Sequence, residues 1–529
     1  MPPMVSSLLL PAFITALCGL WLAAHLRAKV RPPLPPGPRG WPLVGNLFSS
    51  ISRPWERWMQ WSRHYESDII YSNLAGTPII VLSALCATEA LLEKRSAIYS
   101  DRPTALMAGE LMGWNFLFGE KWRTHRRLFN QEVSLNATKH ELRTSARVAA
   151  HSLLRRLLNE PQGYRGHLNR FAGEIIISLT YGSDAVVGEA PYLALSQQAA
   201  RTVTDALVPG RFLVDILPIL RYLPEWFPGA GKFQALAREG KKLAEKIRDV
   251  PFVNTKRKMA KGTAQPCFTV NALQALDSSS SSSPHSTFKS YYDESTVKNV
   301  AANMYIAGVD PIAHTLVVFI LAMVLNPQVL KRAQGEVDVM LEVQNKRGEL
   351  PDFDDEEALP YVAAVVREVI RWRPVAPVGG PHRLSTDDEY KGYHIPAGSL
   401  VFGNVWAILR DEVHFKLYGP DTESFNPERF LLANSTLNAA IPHPETIAFG
   451  FGRRICPGRH IAMSTIWIAV VSMLAIFDIS RCTDPKNKGE EPDETAFGGG
   501  LQFIPLPFKC SIVPRSAEAA ELVQAIPVL

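Results

Sequence analysis

The sequence predicts a mainly α-helical protein with a minor β part, preceded by one N-terminal transmembrane helix. Three observations carry that reading. Long segments repeat apolar residues at helical spacing, the β-branched and aromatic runs are short and bounded by Gly and Pro, and the first 26 residues hold no Asp, Glu, Lys or Arg. At 529 residues, with 47% hydrophobic and 20% charged side chains, the chain is not a disulfide-stapled mini-protein, a collagen-like repeat or a disordered polymer. A net charge of +5, from 56 basic against 51 acidic residues, argues against a nucleic-acid partner.

Val5 to Leu26 is long enough to cross a bilayer core of roughly 30 Å as a helix. A cleaved signal peptide is the competing reading, but it wants positive charge before the apolar run, and here Arg27, Lys29 and Arg31 follow it. The basic flank therefore predicts a cytosolic body, in which cysteines stay reduced and the sequons at Asn136 and Asn434 stay unglycosylated. Residues 1–30 read as anchor and flank. Residues 31–46 follow as a stiff proline-rich hinge (RPPLPPGPRGWPLVG over Arg31 to Gly45), because dense prolines cannot continue a helix. Residues 47–529 show no second linker and no repeat. Their single break is the serine run at 278–283, which predicts a disordered surface loop near 277–290.

Within that body, helices are predicted over Trp122 to Asn136, Lys139 to Asn159, Asn169 to Tyr181, Ser295 to Leu325, Pro327 to Lys346, Leu359 to Trp372 and Arg459 to Ile476. Strands are predicted at Ile69 to Tyr71, Ile79 to Ser83, Tyr390 to Ile395, Leu400 to Asn404 and Leu501 to Pro505.

The strongest chemical signal is Phe449 to Gly458, FGFGRRICPG. A metal-binding cysteine must be a thiolate. Cys456 follows Arg453 and Arg454 and precedes a helix start near Arg459, so positive charge and the helix terminus both favour the anion. Gly452 and Gly458 permit close backbone approach to a flat ligand, Pro457 suits a helix start, and Phe449 can pack on the sulfur. A cysteine-nucleophile hydrolase is the other sharp reading, but no His stands in an evident base pattern with Cys456. The remaining cysteines, at 18, 86, 267, 482 and 510, form no metal-ligand spacing and read as small buried residues.

Phe449, Gly452, Arg454, Cys456 and Gly458 match, position by position, the haem-binding signature of the cytochrome P-450 family, and the chain resembles that family over almost its whole length. Glu368 and Arg371 (EVIR) resemble its E-x-x-R helix, and Arg429 in FNPERF is similar to the arginine that completes a structural triad with them. Trp122 and Arg126 resemble a pair that contacts a haem propionate. E-x-x-R also occurs at Glu120 to Arg123 and Glu245 to Arg248, so the conjunction in order carries the match. The resemblance implies the P-450 fold, haem b with Cys456 as axial iron ligand, NADPH-cytochrome reductase as electron donor and an endoplasmic reticulum membrane location. It also implies a lipophilic small-molecule substrate. Finer similarity is to fungal secondary-metabolite and xenobiotic-oxidising members like O-methylsterigmatocystin oxidoreductase. By the same resemblance, the basic residues near the cysteine side, Lys121, Arg123, Arg127, Arg453 and Arg459, would dock the reductase or form a solvated basic face.

Two positions depart from the family pattern. AGVD at Ala307 to Asp310 resembles the oxygen-activating helix, but Pro311 stands where a threonine is usual, and His314 and Thr315 one turn onward read as packing residues. His382 replaces a common propionate-binding arginine, with Arg383 a candidate substitute. The leading expectation is a monooxygenase whose proton relay uses Asp310, water or a substrate hydroxyl. The alternatives are a peroxygenase, isomerase or dehydratase of the same fold, or a haem protein with poor catalysis. By family position, Tyr99 to Phe118, Leu207 to Gly229 and Phe497 to Pro505 would line an apolar substrate chamber, and Leu207 to Gly229 would dip into the bilayer.

Overall fold

The computed structural model describes residues 32–41, 44–46, 53–103, 105–114, 121–133, 135–185, 190–208, 211–281, 291–411, 417–482, 491–498 and 502–527. The expected span at Val5 to Leu26 lies outside them. Counting helices of nine residues or more among the described residues, the order is α1 (Pro54–His64), α2 (Trp122–Glu132), α3 (Leu135–Asn159), α4 (Tyr164–Tyr181), α5 (Ala190–Ala206) and α6 (Ala230–Ala260). Then follow α7 (Phe268–Ser281), α8 (Glu294–Leu325), α9 (Pro327–Val343), α10 (Pro360–Trp372), α11 (Arg459–Ile476) and α12 (Ala517–Ala525). The fold is mainly helical with small sheets.

The chief sheet begins as a hairpin of β1 (Ile69–Leu74) and β2 (Thr77–Leu82), in register Ile69↔Leu82. Its two-residue turn, Ala75-Gly76, has φ of 48° and 92°, the double positive φ that such a tight turn needs. Downstream come β3 (His382–Arg383), β4 (Asp388–Tyr390), β5 (Tyr393–Ile395) and β6 (Leu400–Gly403). Strand β6 joins β2 in parallel and β3 antiparallel, giving the order β1-β2-β6-β3. The run predicted as one strand from Tyr390 to Ile395 is instead a second hairpin, β4 against β5, turned at Lys391-Gly392 with φ of 52° and 78°. Two more pairs complete the strands: β7 (Phe477–Arg481) with β10 (Cys510–Pro514), and β8 (Phe497–Gly498) with β9 (Ile504–Pro505).

Helix α8 forms the centre of the core. Its N-terminus is capped by the Asp293 carboxylate, which accepts from the Thr296 N–H at 2.8 Å, and Pro327 opens the next helix directly after it. From Val300 to Val324 most side chains are buried, and the exceptions fall between 303 and 315, as suits an interior helix with one open stretch. Helices α8 and α11 are apolar and long enough to cross a bilayer, yet 72% of the apolar window of each is buried within the fold, which marks them as core.

Several boundaries differ from the sequence reading. The expected helix Trp122 to Asn136 divides at residues 133–134 into α2 and α3, and α4 begins five residues early at Tyr164. Helices α1, α5, α6, α7 and α12 were not predicted. Pro251 lies inside α6, where its missing N–H argues locally against helix, but α6 packs against its neighbours along one face that buries Ala237, Leu243, Ala244 and Ile247. Helix α7 continues through Ser281, so the expected loop begins no earlier than residue 282 and its remainder lies outside the described residues. The proline-rich stretch is a strap on the sheet and not a free spacer. Tyr71 N–H donates to Pro36 O at 2.9 Å, His394 N–H donates to Pro33 O at 2.8 Å, and a Cβ on Gly37 would fall 1.8 Å from the Tyr71 carbonyl oxygen.

Candidate functional site

The loop before α11 is held by its own backbone. Cys456 N–H donates to Phe449 O at 2.8 Å across a turn that contains Gly450 and Gly452 at φ of 81° and 57°. A Cβ on Gly452 would lie 2.0 Å from the Leu92 carbonyl oxygen. Gly452 is therefore needed for packing against the preceding segment, a different reason from ligand approach. Gly458 has open space where a Cβ would stand, and its N–H bonds the Cys456 sulfur. Burial raises the Cys456 thiol, opposed by that N–H and by the guanidinium groups of Arg126 and Arg459. Positive charge alone thus does not generate the thiolate here, contrary to the sequence expectation; a coordinating metal ion would, since it deprotonates a thiol outright.

Basic side chains from separate segments converge beside this loop. The Arg454 guanidinium stacks 3.6 Å from the Trp122 ring, and its Nε donates to Ser100 O at 2.7 Å. Arg126 stands one turn beyond Trp122 on α2, its pKa lowered by burial and raised in part by Cys456. Arg102 donates to the carbonyls of Gly380 and Pro381 and is pushed down to about 9 by burial and by Arg454. His382 Nδ1 lies 2.7 Å from Tyr99 O; burial, with Arg102 adding to it, pushes its pKa down to about 3. The neutral ring therefore uses its one N–H on that carbonyl. Arg383 does not join them. It turns to Asp101 at 3.5 Å with its side chain half exposed. Sequence reasoning missed Arg102, whose local signal is only an arginine between Asp101 and Pro103.

Buried cations without matching carboxylates are unfavourable on their own. Arg102, Arg126 and Arg454, all lowered by desolvation, instead fit a guest that brings two carboxylates next to the cysteine sulfur. Haem, with its iron and two propionates, has that chemistry, and these residues fit it.

On α8, the residues between 303 and 315 that are not buried are Asn303, Ala307, Gly308, Asp310, Pro311, His314 and Thr315. Their spacing of three and four places them along one face. Burial pushes the Asp310 carboxyl up to about 6, with Arg201 opposing, and pushes His314 down to about 4. The Thr315 hydroxyl donates to Pro311 O at 2.8 Å. Of the segments expected to line the chamber, Leu106–Leu111 and residues 213–222 meet: Asp215 Oδ1 accepts from Met107 N–H at 2.8 Å, and Arg221 pairs with Glu110 at 3.0 Å. Phe116 to Phe118 and Leu501 lie outside the described residues.

Behind the cysteine loop, Glu368 and Arg371 on α10 are fully buried and joined at 2.7 and 2.8 Å. Arg429 Nε adds a third contact to Glu368 at 3.1 Å, and Arg371 also donates to the carbonyls of Thr422 and Ser424. The three residues thus clamp the 417–430 segment onto α10. Lys121, Arg123, Arg127, Arg453 and Arg459 are all exposed.

A family model described as Cytochrome P450 matches residues 35–510. Cytochrome P450 monooxygenase 98 of Postia placenta is 41% identical over 513 residues, 94% of each chain. Tryptamine 4-monooxygenase of Psilocybe cyanescens is 38% identical, covering 95% of this chain and 97% of its own. Cytochrome P450 monooxygenase ple1 of Rhodocybe pseudopiperita is 38% identical, covering 97% and 96%.

Proposed function

The chain belongs to the cytochrome P450 family and is an oxidoreductase of its haem-thiolate monooxygenase kind, and from that premise we propose that it inserts one oxygen atom of dioxygen into a lipophilic small molecule, with electrons from NADPH through a flavoprotein reductase at the endoplasmic reticulum membrane. The observation that carries this is Cys456, set between an amide donor and Arg126, with the partly buried Arg102 and Arg454 in the same basic cluster. When bound, haem with an axial thiolate supplies activation of dioxygen.

The chain's own residues do the rest. Cys456 would hold the iron, with the Gly458 N–H fixing the charge on sulfur. Arg102, Arg126, Arg454 and Trp122 would hold the propionates, and His382 would keep Tyr99 in place beside them. Asp310, its carboxyl raised by burial to about 6 and so still partly protonated near neutrality, would exchange a proton with chamber water. Apolar, partly open walls favour a substrate such as a fungal secondary metabolite or polycyclic xenobiotic, and a relative named for tryptamine is in keeping with a small aromatic. The exposed side chains of Leu213, Ile219, Tyr222 and Trp226, the last 81% exposed, support contact of this face with a bilayer next to the anchor. The exposed basic face would receive the reductase.

Pro311 favours one second reading, peroxide-driven or reductase-independent chemistry of the same fold, because it brings no hydroxyl to the distal helix. The deciding measurement is the ferrous-CO difference spectrum of expressed membranes. The parent should show the red-shifted thiolate band, and Cys456→Ala should lose it; absence of the band in the parent overturns the reading. Product formed with NADPH and reductase, compared with peroxide alone, then separates the two chemistries.

A further inference from the structure

Proline has no N–H, so residue 311 cannot donate to the carbonyl of Ala307, its partner one turn earlier in α8. The nearest hydroxyl on the helix does not replace that donor, because Thr315 Oγ1 is turned back onto the carbonyl of Pro311 itself at 2.8 Å. A helical carbonyl lies on the surface between residues i and i+4. Ala307 and Pro311 both stand on the open face of α8, Ala307 exposed and Pro311 partly so, while Tyr305, Ile306, Val309 and Ile312 are buried. The acceptor freed by proline therefore lies on the open face of α8 and not in packed core. The proline ring also crowds the same carbonyl and biases it outward. The other internal proline makes the contrast: Pro251 frees the carbonyl of Ile247 in α6, but both of those residues are buried.

An acceptor in a mostly apolar chamber has few alternatives to water or a donor on the guest, and a guest that displaces the water must replace its hydrogen bond. We propose that the Ala307 carbonyl is a substrate subsite, and that the natural substrate is a lipophilic molecule that presents a hydroxyl or N–H donor to the distal helix. Asp310 stands three residues further along the same face and provides a second polar group next to that donor. Asp310, with its pKa at about 6, is mostly ionised at physiological pH but has Arg201 as counter-charge, and His314, the following polar residue, is neutral, so the group leaves no net negative charge that would demand a cationic guest. The inference rests on the monooxygenase reading only for which side of the chamber the reacting end occupies.

The test is equilibrium binding to the full-length holoenzyme, read from the substrate-induced shift of the haem Soret band. The probes are two matched pairs, indole with 1-methylindole and 1-naphthol with 1-methoxynaphthalene. After correction for water-to-octanol partition, the parent should bind the donor member of each pair roughly three- to tenfold tighter, the range of one neutral hydrogen bond. Pro311→Ala returns an N–H to the ladder without adding a hydroxyl, and should bring the ratio to within about twofold of one. Pro311→Val carries the same N–H and serves if the alanine variant does not retain haem. A parent ratio near one, or a ratio that survives both substitutions, overturns the subsite. Loss of the parent's thiolate band would instead overturn the monooxygenase reading, so the two failures are distinct.

Discussion

Asp310 carries a stability signature that separates its burial from any catalytic part. Its folded-state pKa of about 6 stands above the ordinary value of 3.8 because burial disfavours the charged carboxylate, with Arg201 only partly opposing. The raised value means that the fold prefers the protonated acid. The resulting penalty is absent below about pH 4, grows as pH rises between the two values and is complete above about pH 6. Asp310→Asn removes it. Urea unfolding of the holoenzyme should therefore show the variant more stable than the parent by about 2–3 kcal/mol at pH 8, with little difference at pH 4. An equal effect at both pH values would show that the change acts through packing. At this scale Cys456, Trp122, Arg126, Arg454 and the Glu368 set were all legible, because each sits in a short motif. Arg102 was not, because its carbonyl partners Gly380 and Pro381 lie 278 and 279 residues away in sequence.

The clamp of α10 on the 417–430 segment shows how an element transmits to the site without touching it. Arg371 is fully buried, bidentate to Glu368 and also bonded to backbone carbonyls of Leu409, Thr422 and Ser424. Removing it strands a buried carboxylate, a loss of about 3–5 kcal/mol. Arg371→Ala should thus yield little haem-containing protein, measured as haem per polypeptide after purification. Arg371→Lys should not restore it, because a single ammonium cannot span the carboxylate and three carbonyls. Near-parent haem content in either variant would remove this role. Helix existence was legible where apolar spacing was long and regular, as in α8 and α11. It was hidden in α6, where Pro251 speaks against helix locally and tertiary packing outweighs it.

Over the whole molecule, the exposed cations Lys121, Arg123, Arg127, Arg453 and Arg459 lie on the cysteine side and the exposed apolar side chains Leu213, Ile219, Tyr222 and Trp226 lie in the segment between α5 and α6. If the basic face receives a reductase, reversing Arg123 and Arg127 to Glu should slow NADPH-driven haem reduction roughly tenfold at low ionic strength and far less at high salt. An equal loss at all salt concentrations would point to a local defect instead, since Arg127 also packs over the Tyr291 ring at 4.1 Å. What the sequence by itself determined is the family, the ligand loop and the helical class, because those are written in contiguous residues and in local periodicity. Only the tertiary structure decided that Arg102 and not Arg383 completes the basic cluster, that Gly452 is required by the Leu92 carbonyl, and that the proline stretch straps the sheet. It also decided that the carbonyl freed by Pro311 lies on an open face of its helix while the one freed by Pro251 faces core. Each of those outcomes depends on burial and on contacts between segments distant in the chain, and neither quantity is carried by any local run of residues.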